Sequence, residues 1–415
     1  MKIVVIGGGA AGLFTAINIA EKSTHAQVLV LEKTSKTLQK VKISGGGRCN
    51  VTNFRSNPAE LTPFYPRGRK KLHAVFNVFS TSDMLHWLQD HGVSTHAEED
   101  KRVFPSTNSS QTIIDCFLTT AAKIGVEIRL NTSVDGLEKC NDHWKIATKK
   151  GKVSADAVVF ATGSSMTAVE ILQDLGIKIT ERVPSLFTFN CKDERLQGLA
   201  GTSFPHVHVR IPKLKLSESG PLLITHKGLS GPGILKLSAW GAYHLHEIKY
   251  SFDLYLNFTD LSFEKALTVF TQYRMQHPTR KIAKYPLFNL TRNFWKQIIN
   301  YCDISSELTL SELSKKQQNK LLEELTNGRY CIHGKNNFKE EFVTAGGVDL
   351  AEVNLATFES RRFAGLYFAG EVLNIDALTG GFNFQACWSA GWIISNAIRH
   401  KVLQGESLKI STFGS

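Results

Sequence analysis

Lys2-Ile3-Val4-Val5-Ile6-Gly7-Gly8-Gly9-Ala10-Ala11-Gly12 is a short β-branched apolar run that ends in a glycine turn. A helical pattern from Leu13 to Lys22 follows at once. Gly7, Gly9 and Gly12 have the spacing of a dinucleotide-binding turn: the first allows a sharp bend, the second lets backbone approach a pyrophosphate, and the third lets helix and strand pack closely. The N-terminus of the new helix offers free N–H groups and a positive dipole end to phosphates. A second strand, Gln27 to Leu31, leads to Glu32, with Lys33 beside it. Glu32 lies 20 residues beyond Gly12, where an acid can accept from a ribose hydroxyl pair. Strand, turn, helix, strand and acid follow one another in the order a dinucleotide fold requires.

Farther along, Ser44-Gly45-Gly46-Gly47-Arg48-Cys49-Asn50-Val51-Thr52-Asn53 places three glycines ahead of several side-chain donors. Three ordered glycines are costly in backbone entropy and useful where backbone must approach something flat or charged. Val134 sits where an adenine could rest against the chain, and an ordinary buried valine fits the position equally well. Ala157-Val158-Val159-Phe160 is a continuous apolar run suited to a parallel strand buried on both faces, and Ala161-Thr162-Gly163 at its end suits a close crossing over a cofactor. Trp144 to Thr148 and Lys152 to Ala155 suggest a small antiparallel hairpin.

From about Pro184 the texture changes. Short β-like runs are punctuated by Pro205, Pro212 and Gly231-Pro232-Gly233, and helical stretches are expected over 263–276, 290–299 and 311–325. The α/β texture returns with Thr344-Ala345-Gly346-Gly347-Val348, then Gly365 to Glu371, then Thr379-Gly380-Gly381-Phe382-Asn383-Phe384-Gln385 and a helix to about Ile398. Tyr367 and Trp388 are expected in the core.

The 415 residues suffice for two or three domains, and 42% hydrophobic with 21% charged residues is a globular composition. No apolar stretch has the length of a membrane helix, and the N-terminal apolar run is interrupted by the glycine turn as no signal peptide would be. Seven scattered cysteines, without a C-x-x-C pair or a Cys/His cluster of zinc spacing, argue against a disulfide framework or a metal and for reduced thiols in the cytoplasm. The net charge of +12 is spread in small groups, among them Arg67-Arg69-Lys70-Lys71. No aromatic nucleic-acid motif accompanies them, so a solvated basic surface is expected rather than a nucleic-acid partner.

Together these blocks resemble the BaiN-like (YhiN-like, aminoacetone-oxidase-like) family of NAD(P)/FAD-dependent oxidoreductases. The resemblance implies an α/β fold: a Rossmann-like FAD-binding domain of the glutathione-reductase type, discontinuous over 1–185 and 338–415, with an inserted β-plus-helical domain at 186–337 that faces substrate. It implies FAD contacts from Gly7, Gly9, Ala11, Gly12, Glu32, Lys33, Gly47, Arg48, Cys49, Asn50, Val134, Ala161, Thr162, Gly163, Gly370, Glu371, Gly381, Phe382 and Asn383. Phe382 and Asn383 would stand near the isoalloxazine. One departure is local: Gly163 runs almost directly into a helical pattern, where the family has a longer glycine- and proline-bearing loop.

The expected activity is hydride transfer between flavin and a small organic substrate, by reduction of a C=C bond or oxidation of an amine. NAD(P)H is a candidate transient donor, because no second Gly-x-Gly-x-x-Gly unit is present. A flavoprotein acting on RNA and a flavin-bound protein without turnover are the alternatives. Neither a catalytic acid or base nor the oligomeric state can be read from these residues. Cys49 has no neighbouring cysteine for a disulfide relay and reads foremost as a packed small residue.

Overall fold

Ile3, Val4 and Val5 lose all contact with solvent because β1 (Lys2–Ile6) is flanked on both sides by equally apolar strands. On one side lies β2 (Gln27–Leu31), followed by β3 (Glu127–Arg129); on the other lies β4 (Ala157–Phe160). Pairing is parallel throughout this block, with Ile3 opposite both Val28 and Ala157. The computed structural model describes residues 1–336 and 343–412. Two short strands, β5 (Val353–Asn354) and β6 (Glu359–Ser360), and then β7 (Leu366–Phe368) complete a seven-stranded sheet in the order β5-β6-β7-β4-β1-β2-β3. The chain moves outward from β1 to β2 and β3, then crosses back to β4. This reversal creates a switch point between β1 and β4, at whose carboxyl ends open α/β sheets bind ligands.

Helix α1 (Ala10–Lys22) is buried over Ala11 to Ile19 because it is covered on two sides, by the sheet and by the last helix, α2 (Phe382–Thr412). Its polar residues are satisfied within the helix: Thr15 Oγ1 donates to the Ala11 carbonyl at 2.6 Å and Asn18 Nδ2 to the Phe14 carbonyl at 2.8 Å. Phe14, Phe117, Trp87 and Trp388 pack as one aromatic cluster behind it. Tyr367 and Trp388 are both fully buried. Helix α2 runs past Ile398 to Thr412.

The expected hairpin at 144–155 is a three-stranded meander, Val134–Cys140, His143–Thr148 and Gly151–Ala155. Its first strand is hard to read from sequence because Asp135, Glu138 and Lys139 interrupt the apolar residues.

The chain divides into two compact units, one of residues 1–182 and 343–415, the other of residues 183–342. The expected return to the first domain at 338 lies outside the described residues. The second unit contains a six-stranded antiparallel sheet in the order 189–190, 228–230, 216–225, 203–211, 251–257, 328–333. Its helices include Phe263–Gln276, Arg292–Tyr301 and Lys315–Asn327. The last begins four residues later than its apolar pattern because Ser314 and Gln317 close a reciprocal capping box there. Phe204, Phe258 and Phe294 meet at ring-centroid distances of 4.6–4.9 Å in its core.

Candidate functional site

Gly7 bends the chain out of β1 with φ +111°, and its N–H donates to the Leu31 carbonyl at 2.8 Å. A Cβ on Gly7 would lie 2.4 Å from the Ala161 carbonyl oxygen, and one on Gly12 would lie 1.9 Å from the Gly7 carbonyl oxygen. Protein packing alone therefore requires both glycines. Gly9 is different. Its φ of −83° suits any residue, and no heavy atom lies within 4 Å of the place its Cβ would occupy. Gly9 caps α1, whose first intrahelical bond is Leu13 N–H to the Gly9 carbonyl at 3.0 Å. The N–H groups ahead of Leu13 have no intrahelical acceptor, and the first turn carries no acidic residue.

Glu32 stands beside this turn. One carboxylate oxygen accepts the Gly8 N–H at 2.8 Å, and the other accepts the backbone N–H and hydroxyl of Thr34, each at 2.8 Å. A cleft at the carboxyl ends of β1, β2 and β4 is lined by Gly7, Glu32, Lys33, Val134 and Thr162. Ser165 and Thr167, not anticipated from sequence, line it too, because the short loop after Gly163 brings the helix Met166–Asp174 in at once. The Thr162 hydroxyl is buried without a hydrogen-bond partner.

A second group assembles around the triple glycine. Gly45, Gly46 and Gly47 all have positive φ, and Cys49 follows at φ +62°. Arg48 pairs with Glu98 at 2.7 Å and lies 4.0 Å over the Phe104 ring. Cys49 is fully buried, and burial pushes its thiol up to about 12 against an opposing hydrogen bond from Ser44. The Asn50 amide, oriented to satisfy both ends, donates to the Thr52 carbonyl and accepts the Gly381 N–H, each at 2.9 Å. Phe382 is buried and stacked on Phe64 at 4.2 Å, while its carbonyl accepts the Tyr65 hydroxyl at 2.6 Å. Asn383 accepts the Ala377 N–H and donates to the Ala377 carbonyl, both at 2.9 Å. The side chains of Cys49, Phe382 and Asn383 are thus engaged with protein. They shape the loops around them.

Two close contacts set α1 and α2 side by side. A Cβ on Gly370 would lie 2.9 Å from the Ala11 Cβ and 3.2 Å from the Cys387 Sγ; one on Gly391 would lie 2.7 Å from the Thr15 Oγ1. Since Ala11 and Cys387 both flank Gly370, Thr15 lies against Gly391 and Lys22 reaches Ser395 and Asn396, the helices run parallel and both N-termini face the same way. Neither first turn carries an acid. Nearby, Glu371 accepts from Lys40 Nζ at 2.6 Å and from the Thr344 N–H at 2.9 Å, and Gly163 packs against its carboxylate. Nothing in the local sequence around Lys40 or Thr344 advertises this pairing.

These features fit a dinucleotide. The open side of Gly9, N–H groups without intrahelical acceptors, the Glu32 carboxylate at the end of β2 and a partnerless buried hydroxyl lie at one sheet edge, and a second positive helix end lies on the same side. The corresponding matches agree. Residues 1–397 match the family described as HI0933-like protein Rossmann domain. The chain is 28% identical to the ribosomal RNA dihydrouridine synthase of Escherichia coli K12, over 94% of this chain and 96% of that one. It is 24% identical to the 3-dehydro-bile acid delta(4,6)-reductase of Clostridium scindens, over 95% and 98%. In fold it is similar to the 3-ketosteroid-delta4-(5alpha)-dehydrogenase of Rhodococcus jostii RHA1, with a TM-score of 0.50 at 15% identity over 95% of this chain and 97% of that one. Among the described residues no helix is long and apolar enough to cross a membrane. The chain belongs to the HI0933-like Rossmann-domain family of FAD-dependent oxidoreductases.

Proposed function

We propose that the protein binds FAD on its first unit and saturates a carbon–carbon double bond conjugated to a carbonyl group. The observation that carries the FAD assignment is Gly9, a glycine that no protein atom requires, at the start of a helix whose leading N–H groups have no intrahelical acceptor. When bound and reduced, the flavin supplies a hydride. On this reading the α1 N-terminus and Gly9 hold the pyrophosphate, and Glu32 accepts from the ribose hydroxyls. The N-terminus of α2, aligned with that of α1, favours negative charge on the reduced ring. NADH or NADPH would act as a transient donor.

The names of both curated relatives describe a reduction that removes a double bond, which favours C=C reduction over amine oxidation. The net charge of +12 and the RNA-directed relative favour a uracil base in RNA as the substrate, against the sequence-based expectation of a small molecule. A polycyclic enone is the second reading, favoured by the bile acid reductase. Yellow protein reduced anaerobically with NADH or NADPH, then mixed with protein-free ribosomal RNA or with a steroid enone, separates the two. Return of flavin absorbance with RNA, together with dihydrouridine in the digested product, is expected. Reoxidation by the enone alone establishes the second reading, and reoxidation by neither overturns the proposed reaction.

A further inference from the structure

The strand Ser203–Ile211 of the second unit alternates strictly near its centre: Val207, Val209 and Ile211 are buried, and His206 and His208 stand on the opposite face. Period-two geometry puts both imidazoles on one side of the sheet. His208 lies opposite Ser219 on one neighbouring strand and opposite Asn257 on the other. Three residues past Asn257 comes Asp260, in a turn held by the Asn257 side chain. That side chain accepts the Thr259 N–H at 2.9 Å and the Asp260 N–H at 3.1 Å.

This arrangement directs both histidines at one carboxylate oxygen. Asp260 Oδ1 lies 2.5 Å from His208 Nε2 and 3.5 Å from His206 Nε2. One donor atom from each of the three residues lies within 4.8 Å of the other two. The far nitrogen of His208, Nδ1, is 2.5 Å from Ser219 Oγ. If Nδ1 carries the proton and donates it to Ser219, Nε2 turns a lone pair toward a carboxylate, a juxtaposition that a cation between them makes favourable. A hydrogen-bond acceptor on the remote nitrogen fixes the tautomer and orientation of a metal-bound imidazole, and the Ser219 hydroxyl oxygen can accept in that way.

We infer that His206, His208 and Asp260 form a binding site for a zinc-class divalent cation on the second unit, with Ser219 positioning His208. Two imidazoles and one carboxylate are a borderline donor set that suits zinc and its neighbours better than magnesium or calcium, which prefer all-oxygen shells. Three protein ligands leave a coordination position for water or another oxygen donor. Around a tetrahedral zinc the donor atoms stand about 3.3 Å apart, so modest rotation of half-exposed side chains completes the geometry. The site escapes sequence reading because its carboxylate lies in a different strand connection, and a His-x-His pair alone supplies only two ligands.

The test uses tag-free, FAD-loaded protein stripped with chelator, titrated with Zn²⁺ against a chromophoric competitor and, separately, with Co²⁺. Wild type is expected to take up one equivalent and to give the visible Co²⁺ bands of nitrogen and oxygen ligation. His208→Ala and Asp260→Asn should lose that equivalent. Ser219→Ala should keep it with about tenfold weaker affinity. His244→Ala, which alters an exposed His–Glu pair elsewhere on the unit, should change nothing. Unchanged flavin content and circular dichroism in the variants exclude misfolding as the cause of a loss. No saturable uptake by wild type would reduce the cluster to a His–Asp hydrogen bond. Undiminished stoichiometry in a His206→Ala/His208→Ala double variant would place the cation elsewhere. Either result overturns the inference.

Discussion

Lys40 and Glu371, 331 residues apart in the chain, meet at 2.6 Å. The pair ties the segment before the triple glycine to the segment after β7, and the other Glu371 oxygen fixes Thr344 through its N–H. The Lys40 side chain is 53% exposed, so the ion pair contributes at most about 1 kcal/mol to folding. Glu371→Gln is therefore expected to melt close to wild type. If Glu371 also contacts FAD, the same variant should hold flavin about tenfold more weakly, through loss of a charge-assisted hydrogen bond. Calorimetric melting and flavin titration of one preparation check both statements.

Gly9→Val separates ligand demand from packing demand. Its Cβ would have no protein atom within 4 Å, so the variant should fold with a stability loss near 1 kcal/mol at the cap, yet purify colourless. Gly12→Val should fail to fold, because its Cβ alone would strike the Gly7 carbonyl. Normal flavin content in folded Gly9→Val would refute the pyrophosphate placement.

Cys49 should prove chemically silent. With its buried thiol held near 12, it stays protonated at neutral pH and resists alkylation in the native protein, whereas the exposed Cys331 reacts. Cys49→Ala should retain flavin reduction by nicotinamide within about threefold and lose about 1 kcal/mol of stability to the small cavity. Mass spectrometry after native alkylation, with stopped-flow reduction, tests this.

Arg67 grips the fully buried Asp376 through both Nε and Nη2. Removing one partner leaves an uncompensated buried charge, so Asp376→Ala should cost about 3–5 kcal/mol in urea unfolding. Arg67→Met/Asp376→Leu should recover much of that loss, since an apolar pair of similar volume carries no desolvation penalty.

His91 couples stability to pH. The Glu21 carboxylate, at 2.9 Å, raises the imidazole above its ordinary value near 6.5, with burial opposing and the Trp87 carbonyl assisting. A raised folded-state pKa stabilises the protein below the unfolded value, and that contribution is lost as pH rises through the folded one. Denaturant midpoints for wild type should therefore fall relative to those of Glu21→Gln as pH rises above 6.5 and through the raised folded-state value. Parallel midpoints across that range would remove His91 from the account.

Much of the first unit was legible because its signals are local. A parallel strand buried on both faces must be continuously apolar, and a dinucleotide turn must place its glycines at set intervals, so Lys2 to Gly12 and Ala157 to Gly163 declared themselves. The basic group at Arg67 did not. It reads as a solvated face, yet Arg67 is drawn inward by an aspartate 309 residues away. Phe382 and Asn383, expected beside the flavin, also hold the local loops together through Phe64 and Ala377. A motif records that residues recur together without recording which atoms face the ligand.

The sequence by itself determined the α/β class and the glycine turn, because strand periodicity and turn chemistry are properties of neighbouring residues. Only the tertiary structure decided that Gly7 and Gly12 serve packing while Gly9 faces open space. It likewise decided that α1 and α2 run parallel through Gly370 and Gly391, and that Asp260 meets two histidines from another strand. Those relationships depend on which distant atoms reach the same few ångströms. Chain order does not encode that distance; close packing of the folded layers does.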